Sequence, residues 1–264
     1  MNKFKYCYGP VGSWRLGVSL GIDPISQTKK ICDFNCVYCQ LGPEKPVLPL
    51  RHIYVHPGEL AKELKILNIP ADYITFSGRG EPTLASNLKD LLFECRALKS
   101  KKIAIITNSS LMHIKEVREE LALFDFVLAK LDAPDEKLFK AINRPSAGIS
   151  FKKIVKALIL FSKNRTKKMA IQTMFLNSNK MFARKFAALY AKISPDEVQL
   201  NTPLRPCAEK PLSPQEMREI KNIVIYELKK LGASHINVFS VYDKKTPSVK
   251  PVSSPSTLIR RGKI

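Results

Sequence analysis

The chain has no long hydrophobic run. No stretch approaches the ~18 consecutive apolar residues of a membrane-spanning helix, which excludes an integral helical membrane protein. No apolar stretch near the N-terminus resembles a secretory leader either, so the expectation is a protein of the reducing cytoplasm. Acidic residues are scarce: 23 Asp and Glu stand against 44 Lys and Arg, a formal net charge of +21. That excess invites an anionic partner, nucleic acid among them. There is no internal repeat, so a solenoid is excluded.

What is present is enough chain for one sizeable core. The 264 residues are 45% hydrophobic and 25% charged, ordinary globular values, and a single domain of α/β-barrel size fits them. Six cysteines without a leader read as metal ligands or thiols rather than as disulfides.

Apolar, β-branched runs at Tyr73–Phe76, Ile103–Ile106, Phe126–Leu131, Met169–Phe175, Val198–Leu200 and His235–Val241 predict strands, with an earlier one near Val18–Ile22. Helical periodicity falls between them, near Glu59–Leu67, Leu88–Ala97, Ile114–Leu123, Phe151–Phe161, Lys180–Ile193 and Pro214–Leu231. Strand–helix units in series predict parallel strands in a partial (β/α)6 barrel of the TIM-barrel type, although an open doubly wound sheet shares that periodicity. The core domain is expected over residues 1–243. The Pro-, Ser- and Lys-rich stretch 244–264 reads as a flexible basic tail without a core of its own.

Several strands alternate near their C-terminal ends, where Thr75 and Ser77, Lys130 and Asp132, and Gln199 and Asn201 share faces and Gln172 stands alone. Helices cover the apolar face of a parallel strand, so these polar groups are expected to point into the barrel, at the rim where such folds build ligand sites. The competing expectation is a self-satisfied polar network, with Lys130 and Asp132 as its first pair.

Cys32, Cys36 and Cys39 form Cys-x3-Cys-x2-Cys inside the loop 23–42. Three thiolates can hold a metal centre and leave one position open for chemistry. A zinc site is the alternative, since Cys36, Cys39, His52 and His56 match a finger spacing. That finger needs a helix through both histidines, and Pro43, Pro46, Pro49 and Pro57 oppose one. A third motif, Ser77-Gly-Arg-Gly-Glu-Pro-Thr83, follows a predicted strand directly; its glycines would let backbone approach a ligand, and Glu81 could accept from an ammonium.

The cysteine triad, with Tyr38 before its last cysteine, resembles the signature of radical S-adenosylmethionine enzymes, and the glycine loop is similar to that superfamily's Gly-Gly-Glu-Pro loop, interrupted by Arg79. Tyr8–Ile22, Ile142-Asn-Arg-Pro145 and Gln199–Pro206 resemble an uncharacterised iron–sulfur oxidoreductase branch related to wyosine-forming tRNA enzymes. Gly12 and Cys207 stand where that branch has proline, and Trp14 where it has a basic residue. The resemblance implies a 4Fe–4S cluster on Cys32, Cys36 and Cys39, with S-adenosylmethionine on the fourth iron. It implies Glu81 and the backbone of Gly78 and Gly80 at the methionine ammonium, flanked by Ser77 and Pro82, and Tyr38 beside the adenine. Lys130, Asp132 and Asn108 become candidates for carboxylate and ribose, with Gln172 and Asn201 on neighbouring strand ends.

The implied function is reductive cleavage of S-adenosylmethionine to a 5′-deoxyadenosyl radical, fed by a donor such as flavodoxin or ferredoxin. Its substrate is tRNA, a small metabolite or a glycyl-radical protein. A non-catalytic, metal-bearing nucleic-acid-binding protein is the alternative of another class. Cys7, Cys95 and Cys207 are left to bind a second cluster or to remain thiols. The densest basic run, Lys152–Lys168, clusters at a helix end and the following turn, where the helix dipole favours cations and which lies away from the rim. Lys29, Lys30, Arg79, Arg144, Arg205, Lys210, Lys244 and Lys245 are expected on the rim side.

Overall fold

The computed structural model describes residues 4–261. A hairpin of β1 (Cys7–Ser13) and β2 (Gly17–Ile22) opens the chain. The elements then run α1 (Glu59–Ile66), β3 (Tyr73–Phe76), α2 (Leu88–Leu98), β4 (Lys102–Thr107), α3 (Lys115–Leu121), β5 (Phe126–Lys130), α4 (Glu136–Asn143) and α5 (Phe151–Asn164). They end with β6 (Lys168–Met174), α6 (Ala183–Ile193), β7 (Glu197–Asn201), α7 (Pro214–Lys230), β8 (Asn237–Ser240) and α8 (Ser254–Arg261). One sheet carries all eight strands in chain order. β1 is antiparallel to β2 and every later neighbour is parallel. Among the described residues β8 does not pair with β1, so the barrel stays open along one seam.

The expected strands and helices all have counterparts. Three elements were not anticipated, each for a physical reason. β1 contains Gly9, Pro10 and Gly12, residues that argue against a strand unless it lies at an edge, as this one does. α4 is only eight residues long, and its N-cap Asp135 accepts from Leu138 N at 3.0 Å. α8 buries Ser256, Thr257 and Arg260, which hydrogen-bond rather than bury apolar area, so no hydrophobic period marks it.

α8 also corrects the expectation of a flexible tail. Val252 N donates to Gly9 O at 2.8 Å, Gly9 N donates to Thr257 Oγ1 at 3.0 Å and Ser256 Oγ donates to Phe4 O at 2.7 Å. Lys244 lies over the Phe239 ring of β8 at 4.4 Å, so the tail runs from β8 back to β1 across the open seam. A Cβ on Gly12 would stand 1.8 Å from Pro247 O; the tail needs glycine there.

The main core lies between sheet and helices, through residues such as Ile103, Ile105, Val127 and Ile171. A small second cluster, Leu16, Ala104, Phe126, Leu128 and Ala170, fills the lower lumen and leaves the C-terminal rim to polar side chains. There Ser19 and Thr75 hydroxyls lie 2.5 Å apart, and Gln172 Nε2 donates to Gln199 Oε1 at 3.3 Å.

Candidate functional site

The cysteine loop hangs between two anchors. On one side Ile31 N donates to Arg79 O at 3.0 Å, and Glu81 N donates to Ile31 O at 3.0 Å. A Cβ on Gly80 would fall 1.6 Å from Ile31 O, so this approach requires glycine. On the other side the end of α4 holds the loop: Asn35 N donates to Asn143 O at 3.0 Å and Val37 N to Ile142 O at 2.9 Å. The Ile142–Pro145 segment is thus a brace for the cysteine loop.

All six cysteines are free. Each sulfur of the triad meets its own nitrogen donor: Asn108 Nδ2 lies 3.8 Å from Cys32 Sγ, Asn143 Nδ2 3.3 Å from Cys36 Sγ, and Lys30 Nζ 3.8 Å from Cys39 Sγ. Lys30 is buried, donates also to Gly42 O at 3.2 Å, and has no carboxylate partner among the described residues. Donors aimed at sulfur suit thiolates, the ligating form. Burial, with Asp33 nearby, pushes the Cys32 thiol well up, and burial, with Asp132, pushes Cys36 up to about 12. A cationic centre would offset that cost. Among the described residues no three His, Cys, Asp or Glu groups lie close enough to share one ion. The finger spacing fails directly, because His52 and His56 are exposed and lie outside any helix.

Glu81 is reassigned by the geometry. Its Oε1 accepts from Thr83 N at 3.0 Å, Thr83 Oγ1 at 2.7 Å and Thr107 Oγ1 at 2.6 Å, and its Oε2 accepts from Asn108 N at 2.6 Å. It is 2% exposed. The carboxylate therefore braces the glycine loop against β4 instead of facing outward. Burial, with Asp33, raises its pKa to about 7, against the pull of these donors. Pro82, also buried, starts the tight turn that Glu81 caps.

Tyr38 is tied into the end of β5. Its hydroxyl donates to Asp132 Oδ2, and the Lys130 ammonium sits 5.1 Å from its ring centroid. Lys130 pairs with Asp132 at 3.1 Å. Asp132 further accepts from Asn143 Nδ2 at 3.1 Å and Met174 N at 2.8 Å. The self-satisfied network is what forms here. Asn108 joins the cysteine loop to the glycine loop, since its N–H donates to Glu81 Oε2 and its Nδ2 to Asp33 Oδ1, both at 2.6 Å. Ser77 Oγ is 2.6 Å from the Tyr8 hydroxyl, and Gly78 packs on the Asp23 carboxylate. Asn201 caps its own strand end, its Oδ1 accepting from Thr202 N at 3.0 Å. Cys32, Cys36, Cys39, Asn108 and the Ser77–Glu81 loop thus come together, whereas Gln172 pairs with Gln199.

Sequence reasoning missed Asn143, Asp33 and Tyr8 as site residues. An aspartate beside a cysteine carries no spacing signal, and Tyr8 and Asn143 lay in segments that carried the family resemblance without being given a role at the site. Cys7 and Cys95 lie in the main core, and Cys207 sits apart with its Sγ donating to Glu209 O at 3.3 Å. The basic run at the end of α5 is partly neutralised, by Arg165 on Asp196 at 3.1 Å and Lys168 on Glu197. No described helix is long and apolar enough to cross a membrane.

The family model described as the radical SAM superfamily matches residues 27–181, which contain the triad and the glycine loop. The UPF0026 protein of Synechocystis sp. is 42% identical over 207 residues, covering 77% of each chain. The UPF0026 protein of Methanocaldococcus jannaschii is 35% identical over 244 residues, covering 89% of this chain and 75% of the relative. The fold is similar to that of Streptococcus suis SuiB bound to S-adenosylmethionine, with a TM-score of 0.61 at 19% identity. That match covers 81% of this chain and 48% of SuiB, so the chain spans about half of SuiB's length.

Proposed function

The chain belongs to the radical SAM superfamily, among the UPF0026 proteins, and on that premise we propose that Cys32, Cys36 and Cys39 hold a 4Fe–4S cluster at the barrel rim. It is a radical S-adenosylmethionine enzyme, with S-adenosylmethionine and an iron–sulfur cluster as its cofactors. The observation that carries the site assignment is the set of three unpaired thiols, each met by a separate nitrogen donor. A cluster held by Cys32, Cys36 and Cys39, with S-adenosylmethionine bound beside it, would supply one-electron reductive cleavage of the sulfonium and, through it, hydrogen abstraction from the substrate.

The protein's own part is to bind, orient and exclude water. Asn108, Asn143 and Lys30 donate to the sulfurs and hold them in their ligating form. The Ser77–Gly80 backbone offers acceptors to the methionine ammonium, while Glu81 keeps that loop rigid from behind. Tyr38, held by Asp132 and Lys130, walls the rim beside the last cysteine. The polar lumen takes the substrate; tRNA is one source of it, consistent with the +21 charge. A flavodoxin or ferredoxin supplies the electron.

The test is anaerobic reconstitution followed by iron and sulfide analysis, electron paramagnetic resonance and assay of 5′-deoxyadenosine. The expected result is about four irons per chain, lost when all three cysteines become alanine, and slow 5′-deoxyadenosine formation after reduction. A triple variant that retains its full iron would remove the triad from the site.

A further inference from the structure

A groove of about 580 Å³ opens between the cysteine loop, α4 and the turn into α5, lined by Asn35, Pro46, Lys140, Arg144, Ser146 and Ser150 among others. None of the polar side chains at the lumen's rim, such as Asn108, Lys130, Asp132 or Gln172, lines it. One wall is nevertheless the cysteine loop itself. Asn35 is the chain neighbour of Cys36, and Ser146 N donates to Asp33 O at 2.9 Å. Beside Pro46, Val47 N donates to Cys32 O at 3.0 Å.

The segments that border the groove are basic. Lys45, Lys137, Lys140, Arg144, Lys152 and Lys153 stand against Glu44 and Glu136, all of them exposed. Glu136 is already engaged, by Lys140 at 3.6 Å and by Phe151 N at 3.2 Å. The side chains of Lys45, Arg144, Lys152 and Lys153 have no hydrogen-bond or ion-pair partner among the described residues. Three of these cations stand against local preference. Arg144 closes α4 in the left-handed region, at φ 44° and ψ 63°, where glycine is the unstrained choice. Lys152 and Lys153 occupy the first turn of α5, where the helix dipole favours acids and no acid stands. They begin that helix, at the opposite end from the rest of its basic run. Charge kept where the local fold disfavours it points to an anionic partner. An apolar strip adjoins it: Leu48 and Leu50, just beyond Pro46, are 60% and 58% exposed. A phosphate backbone gains little from exposed leucine, whereas a protein interface combines apolar contact with a charged rim.

We propose that this groove is the docking surface for an acidic one-electron carrier protein, the reductant of the cluster. The proposal rests on the reading that Cys32, Cys36 and Cys39 hold that cluster. The docked carrier is oxidised by one electron and the cluster is reduced by one; no atom is transferred. Approach through the cysteine loop leaves the lumen to S-adenosylmethionine and substrate, so reduction does not compete with their binding. Complementary charge speeds encounter and makes the complex salt-sensitive, which suits a carrier that must leave again. Small, weak interfaces are the rule for such electron-transfer pairs.

The test uses the full chain with two probes, an acidic flavodoxin and an acidic ferredoxin, each titrated in oxidised form by calorimetry over a range of salt. The groove variant is Arg144→Glu/Lys152→Glu. The control, Lys229→Glu/Lys230→Glu at the C-terminal end of α7, changes the net charge equally. At least one probe should bind the wild type saturably at low salt, at least about tenfold more weakly in the groove variant and nearly unchanged in the control. Arg144→Gly should also weaken binding while melting at or above the wild-type temperature, because glycine relieves the left-handed backbone. In reconstituted protein, cluster reduction by the reduced carrier should slow in step. Reduction by photoreduced 5-deazariboflavin, a small uncharged reductant, should keep its wild-type rate. Absence of binding by both probes overturns the proposal, as does equal weakening in groove variant and control, which is net charge alone. So does slowed reduction by the deazaflavin, which would mark a lesion of the cysteine loop. A groove variant that binds both carriers normally but loses salt-sensitive tRNA binding gives the surface to nucleic acid and overturns it too. Failure of the underlying reading looks different: the reconstituted wild type would hold no iron on the triad, whatever the carriers bind.

Discussion

Two charged regions of this barrel are built on opposite plans. On the β5–β6 side, Lys130, Asp132, Tyr38 and Asn143 satisfy one another, down to a backbone N–H from Met174. Elsewhere, Arg15, Arg205 and Arg261 have no carboxylate partner among the described residues, and burial with like charge depresses both Arg15 and Arg205. A closed network holds a shape; an open one has charge left for something else. The difference separates side chains that hold one another in place from side chains whose charge no carboxylate balances.

The adjacent arginines of α8 are the sharpest place to break the comparison. Arg260→Ala leaves Asp23 buried without its cation, a loss of about 3–5 kcal/mol. Thermal scans should show a fall of roughly 10 °C. Arg261→Ala, one residue on, should leave the melting temperature within about 2 °C or raise it. Equal falls in the two variants would mean that both are scaffold and that the contrast is false.

The same contrast explains what the sequence made legible. The parallel strands and their helices announce themselves because apolar side chains cover one face at a fixed period. Cys32, Cys36 and Cys39 are legible because ligand spacing is local. Arg205 is not, because it meets Gln40 of the cysteine loop from 165 residues away. The end of α4 is similar: Asn143 reaches Cys36 from 107 residues away. α8 was illegible for the reason that makes it useful, since Ser256, Thr257 and Arg260 dock by hydrogen bonds and show no hydrophobic pattern.

Glu81 extends the closed plan to the glycine loop, and its pH behaviour tests whether it is a brace. Its folded pKa of about 7 lies above the ordinary 4.5 because the buried charge is disfavoured. With the folded value raised, its contribution to stability is fully present below pH ~4.5 and declines as pH rises through about 7. The total change is up to about 3 kcal/mol, from ~1.4 kcal/mol per unit. Thermal scans of apoprotein from pH 5 to 8 should show wild-type stability falling relative to Glu81→Gln across that window. A constant difference between the two would mean that Glu81 stays ionised throughout, as an outward-facing ligand for an ammonium would.

Lys30 is the smallest test and the one that joins the two plans. It is buried like the closed network, yet carries an unbalanced charge like the open one, and its ammonium faces Cys39 Sγ at 3.8 Å. A fixed cation beside a cluster stabilises the reduced, more negative state, so it raises the midpoint potential. Lys30→Met keeps the aliphatic stem and removes the charge. An interaction of about 1.4 kcal/mol corresponds to a tenfold change in the equilibrium, or about 59 mV for one electron. Redox titration followed by electron paramagnetic resonance should therefore show a shift of roughly that size to more negative potential, restored in Lys30→Arg. Unchanged potential with normal iron content would make Lys30 a partner of Gly42 O alone, and would return it to the scaffold with Asp132 and Arg260.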